Sequence, residues 1–183
     1  VIALHDRLYN KKNFHVINSS TLDDKWFKNF KEARIDKVRF LYVARINPVK
    51  GINEFLEMFN NLEMEAELSI IGKTNNLKHQ KKFKSLIENL ENIKFPGYIS
   101  SRQELINTYD NHNILILPSY TEGQPYVVDE SLVRRRPVLI FEDIAQIIKG
   151  RKGIFVAKRN ATSFIETTNF IMTNYSKIQT DIE

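Results

Sequence analysis

Short apolar runs alternate with longer amphipathic stretches along most of this 183-residue chain. Each apolar run is a few residues long and ends in a polar or glycine-containing segment, which is typical of strands buried in a sheet. The runs that we interpret as strands are residues 38–44, 67–71, 92–95, 114–117, 138–141 and 153–156.

Helical periodicity fills the intervals between these runs. Ile52, Phe55, Leu56 and Phe59, for example, recur at the spacing of one buried helix face. We predict helices over residues 53–62, 77–90, 101–110, 125 to about 134 and 162–175, with a short one at 144–148. Strands that alternate with helices form right-handed βαβ units and a parallel sheet. The predicted fold class is therefore α/β, a Rossmann-like parallel sheet with helices on both faces.

The first 35 residues do not follow this alternation. Apolar pieces at residues 1–4 and 14–17 are interpreted as short strands or the tail of a preceding domain. We divide the chain into residues 1–35, the end of an N-terminal domain and an interdomain connection, and residues 36–183, the Rossmann-like domain. Because the chain lacks an initiator methionine, we expect it to be an excised part of a longer protein.

Composition narrows the class of protein. With 42% hydrophobic and 27% charged residues, the chain is typical of a soluble globular protein. Its apolar runs are far shorter than the roughly 20 residues that span a bilayer, and its start does not resemble a signal peptide. Cysteine is absent and the four histidines are scattered without metal-ligand spacing, so we expect no metal site.

The net charge of +5 leaves two interpretations open. Either the partner is anionic, such as a nucleotide, a nucleic acid or lipid head groups, or the charge only favours solubility. A nucleic-acid binder is disfavoured, because the aromatic residues fall mostly on predicted buried faces rather than among exposed cations.

Two glutamates lie beside the strand at 114–117. A polar loop containing Glu122 and Gly123 follows that strand, and Pro125 is well placed in the first turn of a helix that carries Glu130. In a parallel sheet such a loop lies at the carboxyl ends of the strands, where open α/β folds bind ligands. Free N–H groups at the helix start favour an anion there. The pattern predicts an anionic ligand with two carboxylates beside it.

A second candidate segment follows the first strand. Arg45 and Lys50 flank a turn at the carboxyl end of that strand, and both side chains are suited to phosphate oxygens. The alternative is a solvated loop in which Arg45 pairs with an acid. Likewise, Glu122 and Glu130 could be a glycosidase acid/base pair or two solvent-facing charges. Neither the dinucleotide fingerprint nor a P-loop is present, which disfavours dehydrogenases and P-loop NTPases.

Several short motifs follow one another in a characteristic order and spacing. They are Arg45, Lys50-Gly51, Gly72, Gly97, Pro118-Ser119, Glu122-Gly123-Gln124-Pro125, Glu130-Ser131-Leu132 and Arg136-Pro137-Val138. Together they resemble the C-terminal domain of retaining glycosyltransferases of the GT-B fold, most closely glycosyltransferase family 4. The resemblance covers roughly residues 36–175, and residues 15–27 are similar to the family's interdomain connection.

This resemblance implies side-chain roles in binding a nucleotide-sugar donor. Arg45 and Lys50 would hold the diphosphate, and Glu122 would contact the hydroxyls of the transferred sugar. Glu130 would accept hydrogen bonds from the ribose hydroxyls. The residues expected to take part in catalysis are therefore Glu122, Arg45 and Lys50.

The resemblance also implies contacts made largely by backbone. The loop Gly123, Gln124 and Pro125 would approach the sugar and the phosphates. The base would lie against the segment Gly97, Tyr98 and Ile99.

The implied function is a retaining glycosyltransferase, of which this chain is the donor-binding half. It would transfer a sugar from a UDP- or GDP-sugar to a glycan or lipid-linked acceptor in polysaccharide biosynthesis, without a metal or other cofactor. The acceptor would bind the missing N-terminal domain, so we expect little transferase activity from the chain alone. We expect a cytoplasmic location, with peripheral contact to the inner membrane face left open. A non-catalytic nucleotide-sugar-binding module, or another GT-B enzyme such as a nucleotide-sugar epimerase, is the alternative.

Two segments depart from the family pattern. After the second glutamate the family has small residues and a glycine, whereas this chain has three arginines, Arg134, Arg135 and Arg136. If Arg135 takes the place of the glycine, we expect it to adopt a positive φ. The three arginines would form either an anion-binding patch or a solvated face. The glycine pair expected after the fifth strand is replaced by residues 142–145.

Overall fold

The predicted strands form one parallel sheet in a computed structural model, which describes residues 22–182 except Glu63 and Asn75. The strands are β1 (Val38–Val43), β2 (Ala66–Ile71), β3 (Ile93–Gly97), β4 (Ile114–Leu117), β5 (Val138–Phe141) and β6 (Ile154–Ala157). Their order across the sheet is β3-β2-β1-β4-β5-β6. The neighbours β1 and β4 are therefore the strands between which the strand order reverses. The predicted fold class is confirmed.

Helices cover both faces of this sheet, as predicted. They are α1 (Ile52–Asn60), α2 (Leu77–Ile87), α3 (Arg102–Asp110), α4 (Tyr126–Val133), α5 (Ala161–Thr173) and α6 (Tyr175–Ile182). Successive residues of β1 point to opposite layers. Phe40 packs with Phe55 of α1 and Phe164 of α5, whereas Leu41 packs in the layer of α3 and α4. Within the described residues, no helix is long and apolar enough to cross a bilayer.

The C-terminal helix predicted over 162–175 is in fact two helices. α5 ends at Thr173, and the Asn174 side-chain amide (2.9 Å) and backbone N–H (3.1 Å) both donate to the Phe170 carbonyl. Tyr175 then begins α6 and is buried, with its hydroxyl donating to the Asn113 carbonyl at 2.6 Å. The short helix predicted at 144–148 is a 3₁₀ segment, Glu142–Ile147.

The segment before β1 packs against α3 and α4. Asp23 caps a 3₁₀ turn at Asp24–Phe27, and Trp26 is buried in the layer of those two helices. Asn113, just before β4, donates to the carbonyls of Arg34 (2.9 Å) and Lys37 (2.7 Å). The apolar pieces at 1–4 and 14–17 lie outside the described residues, and the domain division at residue 35 stays a prediction.

Arg134 is neither part of an anion-binding patch nor solvated, and both interpretations of it were wrong. Its side chain is fully buried and forms a bidentate ion pair with the Asp110 carboxylate, at 2.8 and 2.7 Å. Its remaining donors reach the carbonyls of Trp26 (2.8 Å), Lys28 (2.9 Å) and Asn29 (3.0 Å). A guanidinium has five N–H donors, and this geometry uses them on one carboxylate and one stretch of backbone.

Arg136 is buried in the same way. It donates to the carbonyls of His112 (2.9 Å), Lys31 (2.7 Å) and Asp110 (3.1 Å), besides that of Arg134. Burial lowers the pKa of its guanidinium from the usual value. Two arginines therefore attach the segment before β1 to the end of α4.

Arg135 adopts the positive φ that we expected, at 56°. Its N–H donates to the Leu132 carbonyl (2.8 Å) and that of Arg136 donates to the Ser131 carbonyl (2.9 Å), the pattern of a Schellman C-cap. The guanidinium groups of Arg134 and Arg135 lie 4.7 and 4.5 Å from the centre of the Phe30 ring. Stacking on this aromatic ring offsets part of the cost of the left-handed backbone.

We predict that Arg134→Ala lowers the free energy of unfolding by about 3–5 kcal/mol, because it leaves the buried Asp110 carboxylate without its partner. Urea denaturation measures this change. The matched control is Arg135→Gly, which relieves the strained φ but loses the stacking, so it should stay within about 1 kcal/mol of the parent chain. Equal effects of the two substitutions would show that the Arg134–Asp110 pair is not a main anchor.

Candidate functional site

A cleft of about 240 Å³ opens at the carboxyl ends of β1 and β4. These are the neighbouring strands at which the sheet changes its direction of growth, the position where open α/β folds bind ligands. The predicted residues that line the cleft are Arg45, Lys50, Glu122, Gln124 and Pro125. The sheet therefore brings both candidate segments, the one after β1 and the one after β4, to one place.

The two segments touch at Gly51. This residue has a φ of 64°, and a Cβ built on it would lie 2.0 Å from the Pro118 carbonyl oxygen. Next to it, the Tyr120 N–H donates to the Val49 carbonyl at 3.0 Å. Gly51 therefore satisfies two constraints, a left-handed backbone and a close backbone approach.

This contact places Lys50 on Glu122. The Lys50 ammonium donates to Oε1 of Glu122 at 2.6 Å, and the Ser119 hydroxyl donates to the same oxygen at 2.7 Å. The Glu122 side chain is 8% exposed and that of Lys50 is 19% exposed. A half-enclosed ion pair of this kind fixes the direction in which the carboxylate faces the cleft.

The end of β1 is held from within the core. The hydroxyl of the buried Tyr42 donates to the Arg45 carbonyl at 3.1 Å. Burial, and to a smaller extent the Glu122 charge, raise the pKa of Tyr42, so the hydroxyl keeps its proton. The Arg45 guanidinium itself is exposed and makes no hydrogen bond or ion pair within the described residues. It borders both the cleft and an adjoining basic cavity of about 370 Å³.

Glu130 lies on α4 and is held by a tyrosine. The Tyr109 hydroxyl donates to Oε2 of Glu130 at 2.8 Å. Burial, followed by the charge of Glu130, raises the pKa of Tyr109. Glu130 does not line the cleft directly, but it is on the helix whose first residues, Tyr126 and Val127, do so.

The remaining predicted residues do not line the cleft. Gly123 is exposed, and a Cβ built on it would meet nothing within 4 Å. Gly97 ends β3 with a φ of 90°, Tyr98 is 63% exposed beneath the Lys73 ammonium, and Ile99 packs against the α3/α4 layer.

Sequence reasoning missed Arg159, which organises the loop after β4. Its guanidinium donates to the carbonyls of Pro118 (3.0 Å) and Ser119 (3.2 Å), and it pairs with Asp143 at 2.7 Å. It also lies 4.1 and 4.4 Å from the ring centres of Tyr120 and Phe141. Asp143 follows β5 and Arg159 follows β6, so a cation and a carboxylate at the carboxyl ends of neighbouring strands were the available signal. The segment that replaces the expected glycine pair thus supports the site through Asp143.

A larger cavity of about 670 Å³ lies near the amino ends of the strands. It is bordered by Phe30, Ile35, Arg135, Tyr175 and Gln179. Ligands of open α/β sheets bind at the opposite edge, so we assign the candidate site to the smaller cleft. Within the described part of the chain, no grouping of three or more His, Asp or Glu side chains could hold a metal ion.

The chain matches the model of the family described as Glycosyl transferases group 1 over residues 24–182. It is also similar to N,N'-diacetylbacillosaminyl-diphospho-undecaprenol alpha-1,3-N-acetylgalactosaminyltransferase of Campylobacter jejuni subsp. jejuni serotype O:2, at 25% identity over 166 residues. That alignment covers 88% of this chain and 42% of the relative, so the chain spans less than half of the relative's length.

Two solved structures show the same architecture. Anabaena HepE in complex with UDP and glucose superposes with a TM-score of 0.66 at 14% identity, covering 81% of this chain and 42% of HepE. The second is the C-terminal domain of LpcC, a glycosyl transferase group 1 family protein from Francisella tularensis. It superposes with a TM-score of 0.60 at 19% identity, and the match covers 79% of this chain and 80% of that domain. The fold is that of a C-terminal half of the GT-B architecture.

We predict that Gly51→Ala lowers the free energy of unfolding by about 2 kcal/mol or more, since alanine must take a positive φ and collide with the Pro118 carbonyl. Gly123→Ala is the matched control and should change it by less than about 0.5 kcal/mol, because the added methyl group meets nothing. Thermal or urea unfolding compares the two. If Gly51→Ala proved as harmless as Gly123→Ala, the contact between the two segments would not be tight.

Proposed function

The chain belongs to the glycosyl transferases group 1 family and is a glycosyltransferase domain, and from this premise we propose that it is the donor-binding half of a retaining enzyme, of the family 4 type. The observation that carries the proposal is the Lys50–Glu122 contact in the cleft beside the exposed Arg45. A carboxylate suited to sugar hydroxyls and two cations suited to a diphosphate stand at one ligand-binding edge.

The donor is a UDP- or GDP-sugar. Its diphosphate lies against Arg45 and Lys50, and Glu122 accepts hydrogen bonds from hydroxyls of the transferred sugar. The backbone at Gly123 and Gln124 approaches the sugar, and an open space beside Gly123 supports this placement. Ribose hydroxyls lie on Glu130, and the base lies against residues 97–99, where Tyr98 is exposed.

The chemistry requires stabilisation of a leaving diphosphate. Transfer breaks the bond between the anomeric carbon and a phosphate oxygen, which leaves with the diphosphate. The acceptor hydroxyl oxygen takes its place on the same face of the sugar and gives its proton to the departing phosphate. Arg45, Lys50 and the N-terminus of α4 supply positive charge where the negative charge develops. The chain's own cations therefore replace a metal ion or other cofactor.

The relatives support the donor and acceptor classes. HepE is solved with UDP and glucose, and the Campylobacter jejuni relative carries an undecaprenol diphosphate acceptor in its name. We propose a glycan or lipid-linked acceptor that binds outside this chain, in polysaccharide biosynthesis. A cytoplasmic enzyme with peripheral contact to the inner membrane face fits such an acceptor.

A non-catalytic nucleotide-sugar-binding module is the second candidate. The observation that favours it is the replacement of the expected glycine pair by the 3₁₀ segment Glu142–Ile147, which Asp143 joins to Arg159. Tight donor binding by an inactive full-length protein would select this candidate. A nucleotide-sugar epimerase would be recognised by analysis of the reaction products.

We predict that calorimetric titration with UDP- and GDP-sugars detects binding of at least one of them. Lys50→Ala should weaken that binding by about 10- to 100-fold, because it removes a charge-assisted contact to the diphosphate. Glu130→Ala should weaken it through the ribose. Lys152→Ala removes an exposed positive charge near the amino end of β6 and should leave the dissociation constant unchanged.

Two results would contradict this proposal. The first is the absence of binding to any nucleotide sugar. The second is an affinity that both Lys50→Ala and Glu130→Ala leave at the value of the parent chain.

A further inference from the structure

Glu130 is supported by a tyrosine that is itself fixed on several sides. The Tyr109 side chain is 1% exposed, and its hydroxyl lies 2.8 Å from Oε2 of Glu130. The same hydroxyl lies 3.5 Å from the Val127 carbonyl, one turn earlier on α4. The Tyr109 hydroxyl therefore contacts both the backbone of α4 and the Glu130 carboxylate.

The ring of Tyr109 is held in place by Trp26. The two rings meet edge to face, with centres 5.6 Å apart and planes at 67°. Trp26 comes from the segment before β1, and its carbonyl accepts a hydrogen bond from Arg134 at 2.8 Å. Arg134 in turn pairs with Asp110, the neighbour of Tyr109 on α3. The support of Glu130 is thus a closed set of contacts among buried groups.

We propose that Tyr109 is a positioning residue, which fixes the Glu130 carboxylate for the ribose hydroxyls of a nucleoside diphosphate and makes the site select ribose over deoxyribose. This inference rests on the function proposed above. Tyr109 is thus a specificity determinant that touches neither the phosphates nor the transferred sugar.

The physical reason lies in the rotational freedom of a glutamate side chain. A carboxylate that accepts a hydrogen bond from a fixed donor loses less conformational entropy when a ligand hydroxyl binds to it. A site built to accept from a hydroxyl also penalises an analogue that lacks it, because the carboxylate acceptor then loses a partner. Burial keeps the Tyr109 hydroxyl protonated, as its raised pKa indicates, so the donor is present throughout the physiological range.

The variant Tyr109→Phe tests this inference, since it removes one oxygen atom and keeps the ring against Trp26. The measured quantity is the ratio of the dissociation constants of the 2′- or 3′-deoxynucleoside diphosphate and the matching ribonucleoside diphosphate, UDP or GDP according to which binds. For the parent chain we expect a ratio of about 10 or more for at least one deoxy analogue. For Tyr109→Phe we expect that ratio to fall to about 3 or less, with weaker binding of the ribonucleotide.

Tyr175→Phe is the matched control. Tyr175 is also buried and also donates through its hydroxyl, to the Asn113 carbonyl, but it lies at the amino ends of the strands. The Tyr175→Phe variant should unfold at a temperature similar to that of Tyr109→Phe and should keep the ribose preference of the parent chain. Glu130→Gln should lose that preference whatever residue stands at 109.

The outcomes separate this inference from the proposed function. If the parent chain binds neither UDP nor GDP, the proposed function fails. If it binds one of them without any preference for ribose, or if Tyr109→Phe keeps the preference of the parent chain, the function stands and the inference is overturned. A loss of preference as large in Tyr175→Phe as in Tyr109→Phe overturns it too, because the effect would then be general loosening of the fold.

Discussion

The site depends on the contact between the segment after β1 and the segment after β4. Gly51 allows it, because any side chain there would occupy the space of the Pro118 carbonyl oxygen. With the two segments in contact, Lys50 reaches Glu122, and one carboxylate oxygen receives both Lys50 and Ser119. The pairing of β1 with β4 brings the segments near each other, and the absence of a Cβ at Gly51 allows their backbones to come into contact.

Three arginine side chains hold loop segments of this domain in place. Arg134 and Arg136 bind carbonyls of the segment before β1, and Arg159 binds carbonyls of the loop after β4. In each case a planar guanidinium satisfies several backbone oxygens that no regular element satisfies. These arginines therefore have structural roles: Arg134 and Arg159 pair with Asp110 and Asp143, and Arg136 is buried against backbone carbonyls.

Much of the fold could be predicted because its signals are local. Apolar runs such as 114–117 and the i, i+3, i+4 face of α1 predicted elements close to those observed. The parallel orientation of the strands followed from the alternation of strands and helices. The meeting of Arg45, Lys50 and Glu122 followed from the fact that parallel strands end at one edge. What could not be predicted depends on partners distant in sequence. The burial of Arg134 could not be predicted, because its acceptors at Trp26 and Asn29 are more than 100 residues away in the sequence. Nothing in the run of arginines indicates these acceptors.

The most direct test of the account is a crystal structure of the chain with a bound nucleotide sugar. The account predicts phosphate oxygens within hydrogen-bond distance of Arg45 and Lys50, sugar hydroxyls on Glu122 and ribose hydroxyls on Glu130. A nucleotide in the cavity beside Phe30 and Tyr175, or a diphosphate that contacts neither Arg45 nor Lys50, would contradict it.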